Sequence, residues 1–347
     1  MLAQWPMIAL LAGFALAAAI IFFSGLRLTI LTDRLADRTG FGEAITGGVL
    51  LGAATSISGT MVSITAALDG HASLAFSNSI GGIAVQTAFL AIADVTYRKA
   101  NLEHAAAELA NIFQALVLIG LLALPLSAMV LPEVTVFAVH PVSFLIPLVY
   151  AGSLVASRIV RETPMWHPVS TNETRDDVPE EESDAARKQL TLRLFAMFLV
   201  FMAIMGCAGW AIAKIAAEMT IRFDLSASLV GALMTAVTTS LPELVTTLAA
   251  VRRGALQLAV GGIIGGNTFD TLFLTAADVS YRDGSLYHAV GMADYFWVVV
   301  SILMTVILMA GLLMRERKGP IGIGLESTLL LMIYAGAVVL QVIVLNG

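Results

Sequence analysis

Two acidic residues fall in the middle of long apolar segments. Glu243 ends a Thr-Ser-Leu-Pro-Glu run, and Asp270 ends a Gly-Gly-Asn-Thr-Phe-Asp run. A charged side chain within a membrane-spanning segment costs about 2.5–3.5 kcal/mol on insertion scales, so such a residue is a functional candidate by default. Helix packing needs no carboxylate in hydrocarbon, and we therefore interpret this pair as functional.

The neighbours of these carboxylates are oxygen donors or residues that let helices come close. On helices, Thr239 shares a face with Glu243. Carboxylate, hydroxyl, amide and carbonyl oxygens are the ligands of hard cations, and a proline frees a backbone carbonyl one turn earlier. The sequence predicts cation ligands at Glu243, Asp270, Thr239, Ser240 and Asn267, the two carboxylates being the direct metal ligands. The residues expected to allow close packing or a kink are Pro242, Gly59, Gly81, Gly82, Gly265 and Gly266.

The composition excludes a soluble protein. Of 347 residues, 58% are hydrophobic and 13% are charged, and the mean hydropathy is +0.89; a soluble domain carries about 25% charged residues. The apolar runs last about 20 residues without the alternation of barrel strands, which predicts an all-α polytopic membrane protein. Cys207 alone cannot form an internal disulfide or a cysteine metal cluster. The expected partners are the lipid bilayer and small inorganic cations, with no nucleic acid and no cofactor; the oligomeric state stays open.

Apolar windows predict about ten transmembrane helices. They lie near 7–26, 44–68, 72–95, 109–131, 134–156, 191–216, 226–250, 255–279, 291–313 and 322–345. Of the 19 Lys and Arg residues, all but Lys214, Arg222 and Arg282 follow odd-numbered spans. Basic residues accumulate on the cytoplasmic side, so both termini are expected outside the cytoplasm of an inner (cell) membrane protein.

The predicted spans divide into two five-helix halves. We expect a first half at 1–156 with repeat 1 at 44–98, a linker at 157–190, and a second half at 191–347 with repeat 2 at 228–282. The linker is acidic and is expected in the cytoplasm. It is either a cation sensor or a solvated connection, and the second interpretation is favoured because such charge runs are usually disordered.

The repeat itself is visible in the sequence at an interval of 184 residues. The identical pairs include Thr55/Thr239, Ser56/Ser240, Gly81/Gly265, Gly82/Gly266, Asp94/Asp278, Tyr97/Tyr281 and Arg98/Arg282. Five spans separate the copies, so they cross the membrane in opposite senses, as in the inverted repeats of secondary transporters. The first copy lacks the charges, with Gly59 opposite Glu243 and Gln86 opposite Asp270. It offers neutral oxygens from Thr55, Ser56 and Gln86.

Other polar residues near the spans have two interpretations. Asp94 and Asp278 are either gate groups or the acidic halves of interfacial pairs with Arg98 and Arg282, and we favour the pairs. His140, which we place within the fifth helix, is either a proton relay or a structural residue beside a proline, and we favour the structural role.

These motifs resemble those of the cation/calcium exchanger superfamily, which includes the sodium/calcium exchangers. Its repeats contain Gly-(Thr/Ser)-Ser-Leu-Pro-Glu followed by Gly-Asn-x-x-Gly-Ser-Asn-x-x-(Asn/Asp). The run ending at Glu243 matches the first element, and the run ending at Asp270 matches the second except at Gly266. The resemblance implies two inverted five-helix halves and cation ligands at Glu243 and Asp270. The first repeat diverges, since Gly59 replaces the glutamate that family exchangers use to bind calcium.

The sequence therefore predicts a secondary active antiporter that works by alternating access. Calcium or another cation would be exchanged for sodium or protons, because two carboxylates in one site balance one divalent or two monovalent cations and can share a proton. The alternative is a cation sensor or scaffold that kept the fold and lost transport. An intramembrane enzyme ranks last, because no hydrolase or metalloprotease motif accompanies the serines and His140.

Overall fold

The computed structural model is helical throughout the part of the chain that it describes. That part comprises residues 4–39, 52–97, 100–106, 108–164, 169, 187–316 and 323–344. The helices are α1 (Met7–Thr39), α2 (Gly52–Thr55), α3 (Ile57–Leu68), α4 (Ala72–Thr96), α5 (Leu102–Ala105), α6 (Leu109–Val130), α7 (Pro141–Glu162), α8 (Arg187–Phe223), α9 (Ala227–Leu229), a π-helical turn (Val230–Thr235), α10 (Ala236–Thr239), α11 (Leu241–Arg253), α12 (Leu256–Asp270), α13 (Leu272–Ser280), α14 (Leu286–Ala289), α15 (Met292–Met314) and α16 (Leu325–Ile343).

The length and composition of these helices suit a bilayer. Within the described ranges, seven helices are long and apolar enough to cross a membrane, and the bent pair formed by 227–239 and 241–253 makes an eighth. The remaining two expected spans are interrupted helices: α2 and α3 are separated at Ser56, and α12 and α13 at Thr271. The all-α membrane architecture is confirmed, and the count of ten crossings stays a prediction.

Helix α4 lies at the centre of the bundle. Most of its side chains are buried, and it contacts α3, α11, α12, α15 and α16. By contrast, α1 and α8 pack against each other at the side of the bundle, where α8 also covers α3 and α1 touches α11. The site residues of both repeats thus meet along α4, beneath the α1–α8 pair.

The fifth span begins later than its apolar window indicates. The expected span 134–156 is replaced by α7, which begins at Pro141, and an isolated bridge joins Val136 and Val139 ahead of it. His140 is the N-cap of α7 and not a residue within it; its Nδ1 accepts from the backbone N–H of Val142 at 3.2 Å. Proline is favoured at the start of a helix because its missing N–H would be unpaired there.

Two basic residues expected in outer loops lie within α8 instead. Because α8 runs far beyond the window 191–216, it includes both Lys214 and Arg222. Lys214 binds Asp69 with an N–O distance of 2.6 Å, and Arg222 binds Glu218 at 2.8 Å. The expected linker also shortens, because α7 continues to residue 162 and α8 begins at 187. Its acidic centre, at 170–186, lies outside the described residues.

The hydrogen-bond partners of Asp94 and Asp278 are themselves 184 positions apart, like the two aspartates. Asp94 Oδ1 accepts from the backbone N–H of Leu102 at 2.7 Å, and Asp278 Oδ1 accepts from that of Leu286 at 2.8 Å. Asp94 Oδ2 accepts from the N–H of Gly324 at 3.0 Å. Its equivalent bond, from His140 to Asp278 Oδ2, is 2.8 Å long. Each aspartate therefore joins the end of its helix to the segment that follows it and to a segment of the other half.

The favoured aspartate–arginine pair is wrong for Asp278. Its carboxylate accepts from two backbone N–H groups and from Ser143 Oγ at 2.7 Å, while Arg282 donates to the carbonyl of Phe137 at 3.3 Å. Arg98, the expected partner of Asp94, lies outside the described residues. Helix ends leave unpaired backbone N–H groups that a buried carboxylate satisfies well, whereas arginine at this depth reaches the surface.

We expect Asp278→Asn to destabilise the protein more than Asp69→Asn, which alters a partly exposed aspartate. The amide keeps one acceptor oxygen for three donors, and a hydrogen bond to a charged group contributes about 1.5–3 kcal/mol. The thermal midpoint of the purified protein in detergent measures the loss. Asp69→Asn is the matched control, since its partly exposed ion pair with Lys214 contributes about 0–1 kcal/mol. Equal shifts in the two variants would contradict this role of Asp278.

Candidate cation site

Helix breaks at equivalent serines create the site. Ser56 separates α2 from α3, and Ser240 separates α10 from α11, so the two breaks lie at the same position of the repeat. Pro242 lies at the start of α11 and Glu243 in its first turn. A helix N-terminus carries a partial positive charge, which favours a carboxylate there. The predicted continuous stripe on helix 7 is thus bent, by 45°.

Asp270 joins both repeats through its carboxylate. It is 2% exposed; its Oδ1 accepts from Ser56 Oγ at 2.6 Å and its Oδ2 from Gln86 Nε2 at 2.7 Å. The same Gln86 amide donates to Ser240 Oγ at 3.2 Å. Four residues predicted as ligands, from distant parts of the chain, therefore form one buried hydrogen-bonded group.

Glu243 faces this group from the start of α11. It is 6% exposed, its carboxyl faces the side chains of Thr55 and Ser56, and it interacts electrostatically with Asp270. Its Oε2 atom is buried and has no hydrogen-bond partner. Removing such an acceptor from water costs about 1–3 kcal/mol, and more for a charged one. The geometry leaves an oxygen that a cation, proton or water would satisfy.

Two amide oxygens in the same region are also without partners. Gln86 Oε1 and Asn267 Oδ1 are buried and accept no hydrogen bond from the described residues. Asn267 directs its amide nitrogen away from the carboxylates, to Thr87 Oγ1 at 2.9 Å. Amide oxygens are suitable ligands for hard cations. Since no group of three or more His, Cys, Asp or Glu in the described ranges could hold a metal, a bound cation would depend on such neutral oxygens.

A cavity reaches Glu243 from one end of the bundle. It has a volume of about 40 Å³ and is lined by Thr55, Glu243, Thr246 and Gly262, with Arg253 at the far end of α11. One water molecule needs about 10–15 Å³ measured in this way, so a few waters fit. The cavity extends from Glu243 to the end of α11 that bears its basic residues.

The predicted glycines have separate roles. A Cβ atom at Gly82 would lie 3.7 Å from Ser240 Oγ and 3.8 Å from Asp270 Oδ2, and one at Gly266 would lie 3.5 Å from Gln86 Oε1, so both border the site. At Gly81 a Cβ would lie 2.4 Å from the Cα of Ala232, which makes this a position of close helix packing. Gly265 instead faces Gln114, at 3.7 Å.

The space beside Gly59 is occupied by an aromatic ring. A Cβ there would lie 2.7 Å from Cε2 of Phe273, a residue of the second repeat. The position that carries a glutamate in family exchangers therefore has no room for one unless this ring moves. The two repeats differ in shape as well as in charge at this position.

Sequence reasoning missed some neighbours of the site. Ser79 Oγ donates to the backbone carbonyl of Asp270 at 2.9 Å, and Tyr150 lies close enough to interact with its carboxylate. Neither belongs to a motif, so only the position of Ser79 one turn ahead of Gly82 gave a signal. Thr239, predicted as a ligand, donates its hydroxyl to Thr235 in the preceding turn at 3.0 Å.

Known proteins share the fold of this chain. The solved sodium-calcium exchanger NCX_Mj superposes with a TM-score of 0.62 at 15% identity, covering 96% of this chain and 98% of that one. A solved H+/Ca2+ exchanger, CAX, superposes with a TM-score of 0.68 at 13% identity, covering 96% of this chain and 86% of that one. At such identities the likeness concerns the fold.

Sequence relatives cover the chain as well. The CaxA protein of Alkalimonas amylolytica is 27% identical over 323 residues, which are 91% of this chain and 93% of that protein. The inner membrane protein YrbG of Escherichia coli (strain K12) is 32% identical over 102 residues, which are 29% and 30% of the two chains. The model of the sodium/calcium exchanger protein family matches residues 9–158 and 193–343. The chain belongs to the sodium/calcium exchanger protein family.

Proposed function

We propose that this membrane protein is a secondary active cation antiporter in which Glu243 and Asp270 hold the transported cation. The observation that carries the proposal is the buried pair of interacting carboxyls, with Glu243 Oε2 left without a partner. A permanent structural pair would be neutralised by a basic side chain, whereas a transport site must exchange its counter-ion. The solved neighbours are named as exchangers of calcium for sodium or for protons, which supports antiport.

The charge of the site limits what one transport step can carry. Two carboxylates balance one divalent cation or two monovalent ones, and the first repeat contributes neutral oxygens through Ser56 and Gln86. In that repeat, Gly59 replaces the glutamate that family exchangers use for calcium, and the ring of Phe273 fills the space beside it. We therefore keep calcium and other cations as substrates, and sodium and protons as counter-ions, for experiment to separate.

The orientation belongs to the same proposal. The cavity beside Glu243 is also lined by Arg253, and basic residues mark the cytoplasmic side. The described conformation is then one that faces inward, with the termini outside and the linker in the cytoplasm of an inner membrane. Alternating access would next close this cavity and open the site toward the other face.

Ion flux in proteoliposomes tests the proposal. The purified chain is reconstituted, a sodium or a pH gradient is imposed, and calcium and then other cations are followed. Gradient-driven uptake that is absent from empty liposomes is expected. Sodium-driven calcium uptake would establish sodium/calcium exchange despite Gly59, and flux coupled to protons alone would establish a proton antiporter. Ion binding without flux under every gradient would contradict transport and support the sensor.

The other two interpretations lack support. Nothing in the comparisons favours a sensor, and the family and structural neighbours are exchangers, not enzymes. The histidine considered for an enzyme is also committed elsewhere. Ser143 Oγ lies 2.7 Å from Asp278 Oδ2 and 2.8 Å from Tyr287 Oη, while His140 Nδ1 accepts from a backbone N–H. These bonds leave no serine–histidine nucleophile at this position.

A further inference from the structure

A second group of buried carboxyls lies at the end of α4, away from the cation site. The equivalent positions of the other repeat carry different residues, so this group is not a product of the internal repeat. Ser143 Oγ of the first half and Tyr287 Oη of the second half are 2.8 Å apart. The residues 184 positions away from them in register are Ser327 and Glu103, and there Ser327 Oγ donates to Glu103 Oε1 at 3.2 Å. A carboxyl thus replaces the phenol of Tyr287 in the first half.

Two further carboxyls surround Glu103. Asp94, at the end of α4, is 2% exposed, and Glu326, in the first turn of α16, is 5% exposed; Glu103 itself is 1% exposed. Glu326 lies tightly against α15, since a Cβ at Gly311 would be 2.6 Å from its Cγ. The equivalent of Glu326 in the other half is the apolar Val142. Three acidic side chains are therefore buried near one another, whereas of their equivalents Asp278, Tyr287 and Val142 one is acidic.

The hydrogen bonds distinguish Asp94 from Glu103. Both oxygens of Asp94 accept from backbone N–H groups, of Leu102 and Gly324, which suits an ionised carboxylate. Glu103 has one partner, Ser327, and its Oε2 is buried without any. An ionised Glu103 would leave a buried acceptor unpaired beside another negative charge. A proton on Oε2 removes the charge and supplies a donor toward the other carboxyls.

The charges that act on Glu103 from the described residues are both negative. The groups that act electrostatically on it are Asp94 from α4 and Glu326 from α16. His104, next to it on α5, has its Nδ1 2.7 Å from the carbonyl oxygen of Arg315. Arg315, after α15, donates to the carbonyls of His104 and Val169.

We propose that Asp94, Glu103 and Glu326 form a proton-binding site, separate from the cation site, in which the proton resides on Glu103. A proton bound there lets the start of α16 stay packed against the ends of α4 and α15. Loss of that proton places two or three negative charges in one buried group and loosens the contact. Since the site lies beside the basic end of α15, it would sense pH on the side that the basic residues assign to the cytoplasm.

The expected titration of Glu103 follows from its surroundings in the segment that connects α4 to α6. Burial and then the nearby Asp94 raise the pKa of Glu103 to about 8, from 4.5. A group whose pKa is raised in the folded state stabilises the fold fully below its unfolded pKa, and that stabilisation is lost as the pH rises through the folded pKa. We therefore expect stability to fall between about pH 5 and pH 9, because over this range the folded protein holds one proton more than the unfolded chain.

Infrared spectroscopy of the full-length protein in lipid nanodiscs tests the site directly. The C=O stretch of a neutral carboxylic acid is followed from pH 6 to pH 10 in a Glu243→Gln/Asp270→Asn background, which removes the carboxyls of the cation site. We expect one band that disappears near pH 8 and is missing after Glu103→Gln. Glu162→Gln, at the exposed end of α7, is the control and should retain the band. An unchanged band in Glu103→Gln, or no titrating band at all, overturns the proposal.

A second variant guards against a folding defect in the first. Glu326→Gln keeps the shape of the group and removes one negative neighbour, so the midpoint of the Glu103 band should move to lower pH. The thermal midpoint, measured from pH 5 to pH 9, should also fall less steeply in Glu103→Gln than in the unmodified protein. A Glu103 midpoint that Glu326→Gln leaves unchanged would contradict the inclusion of Glu326 in the site, and parallel stability curves would contradict a link between this proton and the fold.

Discussion

Replacing Glu243 by glutamine is expected to reduce gradient-driven cation flux by at least about 10–100-fold, the loss typical when only a supporting partner of a metal ligand is removed. Glutamine has the shape of glutamate and retains one oxygen. It removes half of the negative charge of the site and leaves Asp270 as the single carboxylate. A divalent cation would then carry an unbalanced positive charge into the membrane interior.

Asp270→Asn should cause a similar loss for an additional reason. Asp270 accepts from Ser56 and Gln86, so an amide in its place turns an NH₂ group toward one of these donors. The double variant should be no worse than either single variant, because residues that act as one unit are non-additive. Initial rates of flux in proteoliposomes at matched protein density measure all three.

Protein stability separates a site effect from a folding effect. Burying two carboxylates together is costly, so neutralising Glu243 should leave the thermal midpoint unchanged or raise it. Glu162→Gln, which alters an exposed ion pair with Arg158, is the control for both measurements. Full flux in the double variant would remove Glu243 and Asp270 from the mechanism.

Gly209→Ala should destabilise the protein more than Gly206→Ala, the corresponding substitution in the same helix α8. A Cβ atom there would lie 2.4 Å from the carbonyl oxygen of Ser58 and 3.0 Å from its Cα. These are backbone atoms of α3, which cannot rotate away as a side chain can. Overpacking of this kind typically costs about 1–3 kcal/mol, more than the roughly 0.5–1 kcal/mol that alanine gains over glycine in a helix.

The same helix provides the control. At Gly206, one turn earlier, a Cβ would lie 3.5 Å from Cγ of Met61, an ordinary van der Waals contact. Gly206→Ala should therefore leave the thermal midpoint unchanged or raise it, while Gly209→Ala lowers it. At Gly25, which is 184 residues before Gly209, a Cβ would lie 2.5 Å from Cβ and Cγ of Pro242, so Gly25→Ala should also lower the thermal midpoint. Equal thermal midpoints for Gly206→Ala and Gly209→Ala would contradict the close approach of α8 to α3.

Local pattern was enough to identify the class of protein and its chemically important residues. Apolar runs of bilayer length predict helices wherever they occur, because the solvent is lipid and the backbone must bond internally. The interval of 184 residues, read from identities such as Asp94/Asp278, reappears in the hydrogen bonds of both aspartates. Glu243 and Asp270 stood out for the same local reason, as charges in hydrocarbon.

The tertiary structure decided which groups meet. Ser56 and Asp270 are 214 residues apart and bond at 2.6 Å, and no local signal predicts that distance. The loss of the carboxylate at Gly59 was visible in the sequence, but the ring of Phe273 that covers it was not. Side-chain partners depend on how distant helices pack, and hydropathy carries no record of that packing.

The errors in the sequence analysis have the same origin. The window 134–156 included apolar residues ahead of Pro141, where the helix begins. The partner assigned to Asp278 was Arg282, the nearest arginine in sequence. A buried carboxylate instead takes the donors that the fold brings to it. The sequence by itself determined an all-helical membrane protein with a repeat and two charges in its spans. The tertiary structure alone placed those charges beside each other, because only packing brings distant residues into contact.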